Sequence, residues 1–459
     1  MTGGADSVGI YDRALDHLLR FHPAVVEDAG TLVATSLDAP MGHALTAYLH
    51  LMSTDAADLP TASEAVAAVQ GCAEHPRELA HADAAAGWLA GDWTGAATHV
   101  DDLLRQWPTD LLALAIGHQL DFFLGDATNL RDRVGRTGPE VDPDHAHAGF
   151  VLGMHAFGLE ESGHYAQAEA AGVAALARNR DDVWAIHAVV HTYEMRGRID
   201  TGTRFLLDRT DDWADGNLFT VHNWWHLALF ALEAGEPSRA LAIYDDRLHT
   251  PSSAGVPSEM LDAAALLWRL HLDDVPTGDR FAVLADGWAR CTTEDPRYAF
   301  NDVHAVMALA GAGRLDDCRA VIAGLSAYVE RAQGTNASMT AGVGLPVARA
   351  VLAFVEGRHA DVVAELEPIR RVLNHFGGSH AQRDAWQRTL LESSLRCGRN
   401  DLARALTAER LSMRGQANYN WVQRARVLDA LGDANGAGSA AATAESNRVR
   451  FTTAFQDQR

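Results

Sequence analysis

Residues 150–183 read FVLGMHAFGLEESGHYAQAEAAGVAALARNRDDV, and the fold is decided in them. Apolar residues recur three and four positions apart in two runs, which places them along one side of each of two α-helices. Gly163 stands between the runs with Tyr165 just after it, and a glycine there permits the left-handed backbone that closes a helix. Gly153 lies early in the first helix and Ala168 in the second, while Asn179, Asp181 and Asp182 precede a third. The unit is a helical hairpin of 34 residues.

The same punctuation runs outward in both directions, as Gly91-Asp92, Gly125-Asp126, Gly163-His164, Gly197-Arg198, Gly235-Glu236, Gly313-Arg314, Gly357-Arg358, Gly398-Arg399 and Gly432-Asp433. The glycines lie 34, 38, 34 and 38 residues apart up to Gly235, then 78 to Gly313, then 44, 41 and 34. The long interval fits two units with a glycine-free turn near Asp273 and Asp274. A period near 34 is that of tetratricopeptide-type hairpins, the longer intervals absorbing loop insertions. A hairpin of this kind cannot bury its apolar stripe alone, so stacking creates one extended core and a concave surface lined by the first helix of each pair. The sequence therefore predicts an all-α chain: a helical segment over 1–40, a right-handed superhelix of about ten stacked hairpins over 41–432, and a weak terminal helix or tail over 433–459. Prolines and glycines mark insertions at 126–147 and 245–262.

Composition narrows the functions available. All 38 basic residues are arginine, so the lysine of a phosphate-binding loop and the Schiff-base lysine of pyridoxal phosphate are both excluded. A net charge of −23 without a basic stripe argues against nucleic acid and anionic membrane as partners. Residues 1–30 lack a basic segment followed by an apolar run, and a cytoplasmic location is expected. Cys72, Cys291, Cys318 and Cys397 form no C-x-x-C pair and read as small buried residues.

The histidines carry the functional signal. His81 and His187 lie ten residues before their turn glycines, His226 and His304 nine before theirs, so the pattern predicts imidazoles aligned along the concave side. His187, His191 and Glu194 fall at i, i+4 and i+7, and His222 and His226 repeat the i, i+4 pair in the next unit. That spacing places two imidazoles on one helix face, where they can bind one metal or serve as acid and base near neutrality. His187, His191, Glu194, His226 and His304 are the candidate catalytic groups, with His187, His191 and His226 the ligands of any divalent metal. His118, His222, Asn223, Trp225, Asp302, Gln382, Arg383 and Asp384 are candidate ligand-binding residues. One of the adjacent Trp224 and Trp225 is expected to face the groove, since neighbours point about 100° apart. Each candidate also has a plainer reading: histidine as a hydrogen-bonded core residue, Asp302 and Ser379 as helix N-caps. Glu160, Glu194 and Glu233 end their helices against the macrodipole, which calls for a compensating arginine or histidine. Gly342-Val343-Gly344-Leu345-Pro346 lacks the preceding strand of a dinucleotide fingerprint and reads as a turn, and Ser379 lacks the context of a nucleophile elbow.

In order along the chain, Gly149 to Glu161, Trp184 to Met195, His222 to His226, Asn301 to His304, Val343 to Val347 and Gly377 to Asp384 resemble the tetratricopeptide repeat protein 38 family. The similarity runs from about residue 41 to 415. It implies a helical-repeat fold and an intracellular protein, and brings no established reaction. One departure is His380, where a relative has asparagine, which makes Arg383 and Asp384 better candidates than His380. The combined expectation is a His/Asp/Glu/Trp-lined concave pocket for a small or extended polar ligand or a peptide. An enzyme using that pocket, metal-dependent or acid–base, and a protein-interaction scaffold are the alternatives, with a homodimer left open.

Overall fold

The computed structural model describes residues 5–35, 39–291 and 296–456, so the ends of the 1–40 and 433–459 segments and the 36–38 stretch lie outside it. The described residues are helical, with no strand among them. After an N-terminal pair, Ala5–Leu19 and Val25–Thr35, antiparallel hairpins follow from Pro40–Met52 with Leu59–Cys72 to Asn418–Ala430 with Ala434–Gln456. The stretch expected to be a weak terminal helix is 23 residues long and forms the second arm of that last hairpin.

Local chemistry sets the ends of these helices. The nine turn glycines all have φ between 66° and 86°, the left-handed region that a Cβ disfavours. In the glycine-free hairpin Asp274 takes that role, with φ 54°. Asp92, Asp110, Asp126 and Asp182 cap the helices that follow them, each accepting a backbone N–H three residues on. Residues 342–346 are not a turn: they continue one helical run from Thr335 to Val355 through a π-helical segment, Thr340–Gly344. Pro346 is tolerated because it follows that widened turn, where its missing N–H and its ring do not break an α-helical bond. This run alone among the described helices has the length and apolarity to cross a membrane, and 67% of its apolar window is buried, packed on Ala299–Gly311.

The repeats do not spiral away from one another. Turns of the earlier hairpins seat on helix starts, and on the last turn of Ala434–Gln456, 186 to 249 residues further along the chain. Thr335 donates its N–H to Gly91 O at 3.1 Å, and Asn374 Nδ2 donates to Gly125 O at 3.1 Å. Arg383 pairs with Glu161 at 3.1 Å, Tyr419 N–H donates to Glu233 at 3.1 Å, and Thr452 Oγ1 donates to Ala234 O at 3.1 Å. A Cβ on Gly125 would lie 1.7 Å from Asn374 O, so this glycine serves the close approach as well as the turn. Successive superhelical turns are thereby in contact, and the concave side becomes an interior.

Candidate functional site

That interior holds a chamber of about 410 Å³. Its wall comes from the first helices of eight hairpins: Leu49 and Met52, Ile116 and His118, Phe150 and Met154, Trp184 and His187, His222, Leu261, Phe300, and Gln382. The N-terminal pair roofs it with Leu18, Leu19, Phe21 and Val25. Phe21 stacks on Trp184 with ring centres 5.3 Å apart and has φ 55°, an uncommon conformation for a bulky residue. The wall is therefore mostly apolar, not polar as the histidine count suggests, and the imidazoles gather at one end.

At that end two i, i+4 pairs converge from the adjacent helices Val183–Met195 and Thr220–Glu233. His187, His191, His222 and His226 each bring a ring nitrogen to within 4.8 Å of the others. His222 Nε2 and His187 Nε2 face each other at 3.1 Å. Behind the rings stands a carboxylate shell: Asp262 is 2.7 Å from His222 Nδ1, Glu194 is 3.1 Å from His226 Nδ1, and Glu160 is 3.5 Å from His191 Nδ1. His187 and His222 line the chamber, whereas His191 and His226 are wholly buried behind them.

Burial governs the protonation of this cluster. It pushes His187 well below the usual imidazole range, reinforced by the three neighbouring rings, His191 down to about 4 and His226 down to about 3. Burial would raise Glu194, but the hydrogen bond from His226 and the nearby Arg414 hold it at about 2. Glu160, buried beside Glu161, is raised well above the carboxylate range. At neutral pH His187, His191 and His226 are thus uncharged, beside an ionised Glu194. Two of them, His191 and His226, leave Nε2 buried with no hydrogen-bond partner among the described residues.

The remaining candidates are distributed differently. His118 lines the chamber and accepts the Trp184 Nε1 hydrogen bond at 3.2 Å. Gln382 lines it too, but its Oε1 accepts the Ser379 N–H in a capping box, so Ser379 is an N-cap. His304 stands apart from the four histidines, donating Nδ1–H to Phe300 O at 2.7 Å and packing on Trp386. Trp225 is fully buried, stacked on His222 from outside the chamber, and Trp224 packs on Trp213, so neither tryptophan faces the ligand space. Asn223 is buried with its amide unpartnered among the described residues. Asp302 lies in a small separate recess with Thr54 and Arg297, and is not an N-cap, that position being Tyr298.

Arg383 and Asp384 bind no ligand space either. Arg383 ties Glu161 to the carbonyls of Gly377 and Gly378, and Asp384 sits among Arg388 at 2.6 Å and Arg410 at 2.8 Å. Both belong to the seam between superhelical turns. Two of the three helix-ending glutamates are compensated as their dipole requires, Glu194 by His226 and Glu233 by Arg388 at 3.2 Å, whereas Glu160 has no hydrogen-bond partner among the described residues. Cys318 is buried, and Cys72, Cys291 and Cys397 are half-buried. Sequence reasoning missed Trp184 and Phe219 as chamber residues, and Asp262 as the partner of His222.

No family model matches the sequence. Among solved structures the chain is similar in fold to yeast Tom70, at 11% identity over 98% of this chain and 95% of that one, with a TM-score of 0.34. It is similar to Naa15/Naa10 bound to HypK-THB at 12% identity over 89% of this chain and 63% of that one, TM-score 0.25. The P58(IPK) TPR domain is a third, at 12% identity over 84% of this chain and 100% of that one, TM-score 0.23.

Proposed function

We propose that the chain binds one small amphipathic molecule inside its superhelix, the apolar body against the aromatic and aliphatic wall and a polar or anionic head at His187, His222 and Gln382. The observation that carries this reading is the chamber itself: about 410 Å³, the size of a small-ligand site, with a mostly apolar lining and imidazoles concentrated at one end. A peptide groove fits less well, because the roof of Leu18, Leu19, Phe21 and Val25 covers the concave side. The ordered motifs between residues 41 and 415 support assigning the chain to the tetratricopeptide repeat protein 38 family, with a cytoplasmic location as part of the same reading.

A second reading, an enzyme acting on that molecule, is favoured by the His222–Asp262 pair. With Nδ1–H donated to Asp262, His222 presents Nε2 as a base at the chamber wall.

Thermal-shift titration with medium-chain and aryl-substituted carboxylates, against short polar acids of the same charge, tests the binding proposal. A ligand at 100 times its Kd adds about 2.7 kcal/mol to the folded state, a readable rise in midpoint. Met154→Trp, which fills the chamber, is expected to abolish the response. No shift with any apolar-tailed acid, or the same shift in Met154→Trp, would refute it.

A further inference from the structure

We infer that His187, His191, His222 and His226 together hold one transition-metal ion of the zinc class, through the Nε2 atoms that face one another at the inner end of the chamber. The proposal stands on the geometry of these four side chains and does not depend on what fills the chamber. The constellation includes His222, so the ligand set is two complete i, i+4 pairs rather than three rings.

Distances fit a metal. Imidazole nitrogens bound to tetrahedral zinc at about 2.0–2.1 Å lie about 3.3–3.4 Å apart. His187 Nε2 and His222 Nε2 are 3.1 Å apart. The widest separation in the set, up to 4.8 Å, exceeds that span by an amount that small rotations of four rings can close.

Orphaned atoms point to an ion in the same place. His191 Nε2 and His226 Nε2 are buried and unpartnered among the described residues, and a buried polar atom without a partner costs about 1–3 kcal/mol unless something binds it. His222 directs Nδ1 at Asp262, so its Nε2 is an acceptor, and it faces His187 Nε2 at 3.1 Å. A proton between those two would satisfy only that pair and would leave His191 and His226 as they are. One cation engages all four Nε2 atoms.

The outer shell has the form that metal sites use. A ligating histidine ordinarily passes its other ring N–H to a carboxylate, which fixes the tautomer and makes the ligand more basic. Asp262 and Glu194 do this for His222 and His226, and Glu160 stands behind His191. Two of the four rings reach the chamber, so a bound ion sits where the head of a chamber ligand can approach it.

Chelator-treated protein titrated with Co²⁺, read by visible absorption and by elemental analysis after desalting, tests the site. One ion per chain is expected, displaced by Zn²⁺. Asp262→Asn is expected to weaken binding about 10- to 100-fold, since among the four histidines Asp262 holds His222. His191→Gln combined with His226→Gln should abolish binding, whereas His304→Gln, a buried histidine outside the set, should leave it intact. Far-ultraviolet circular dichroism reports whether each variant is folded, and Asp262→Asn keeps the test decisive if the double variant is not. No stoichiometric uptake by folded chelator-treated protein, or uptake unchanged in Asp262→Asn and in the double variant, overturns the proposal. Failure of the chamber ligands leaves it untouched.

Discussion

Asp182→Asn isolates a charge that the fold holds against its preference. Asp182 caps the helix that carries His187 and His191: its Oδ1 accepts the Ala185 N–H at 2.9 Å, while Oδ2 is buried without a hydrogen-bond partner among the described residues. Burial raises its pKa to about 7, although the N–H groups of Ala185 and Trp184 pull the other way. An acid raised in the folded state contributes stability at low pH that is lost as pH climbs from the unfolded value, about 3.9, through the folded one. The loss is about 1.4 kcal/mol per pH unit in that window, so wild type should weaken by about 3 kcal/mol between pH 5 and pH 8 on account of this group. Asparagine keeps the cap acceptor and removes the ionisation. The variant should therefore gain on wild type by about that amount as pH rises from 5 to 8, read from urea midpoints at the two pH values. Asp182→Ala removes the cap as well and should run about 1 kcal/mol below Asp182→Asn at both. A gap between Asp182→Asn and wild type that does not change with pH would refute the burial argument, because it would mean that the carboxylate titrates as though solvated.

Gly125→Ala should cost more than Gly163→Ala: both incur about 1–2 kcal/mol of backbone strain, but only Gly125 meets another backbone, Asn374 O, so its variant should also open the seam to limited proteolysis. Glu161→Leu and Arg383→Met should each cost about 3–5 kcal/mol in thermal or denaturant unfolding, and the double variant less than their sum, because each single change strands a buried charge. His304, held at about 4 by burial, supplies stability that is complete above the unfolded value near 6.5 and is lost as pH falls toward 4. His304→Leu should therefore unfold less steeply with acid than wild type, by up to about 1.4 kcal/mol per pH unit.

The hairpins were legible because each one is written locally. A left-handed residue is needed once per turn, and glycine marks it in nine places. Even the unmarked turn gives itself away, since Asp273 and Asp274 interrupt an apolar period at the right distance and aspartate tolerates the conformation. The seam was not legible. Glu161 and Arg383 are 222 residues apart, and nothing in either neighbourhood encodes the other. Arg383 reads as a candidate binding residue and Glu161 only as the end of a motif, and only the closure of the superhelix turns them into each other's partners. The π-helical Thr340–Gly344 escaped for the opposite reason: its local composition, two glycines before a proline, is that of a turn, and the packing of the run on Ala299–Gly311 overrides it.

The site divides along the same line. An i, i+4 pair is a local fact, and His187 with His191 and His222 with His226 could be read directly as two pairs. That they face each other follows from the stacking of adjacent hairpins, which the period also implies. Asp262 has no such signature: it lies 40 residues beyond His222, at the end of the 245–262 stretch that reads as an insertion, whereas the helix Pro257–Leu272 already begins there. The alignment of histidines against turn glycines grouped His304 with His226, yet His304 spends its Nδ1 on the Phe300 carbonyl of its own helix and lies against Trp386. Equal distance from a turn fixes only depth along the helix; which way a side chain points depends on the rotation of that helix in the stack. The same distinction explains the apolar chamber. Positions nearer the starts of the first helices, such as Phe150, Trp184 and Phe300, face the open interior, while the deeper His191 and His226 turn toward a neighbouring helix. A histidine-rich concave helix thus yields an apolar cavity with its imidazoles packed into one wall, the arrangement in which four rings can share a single cation.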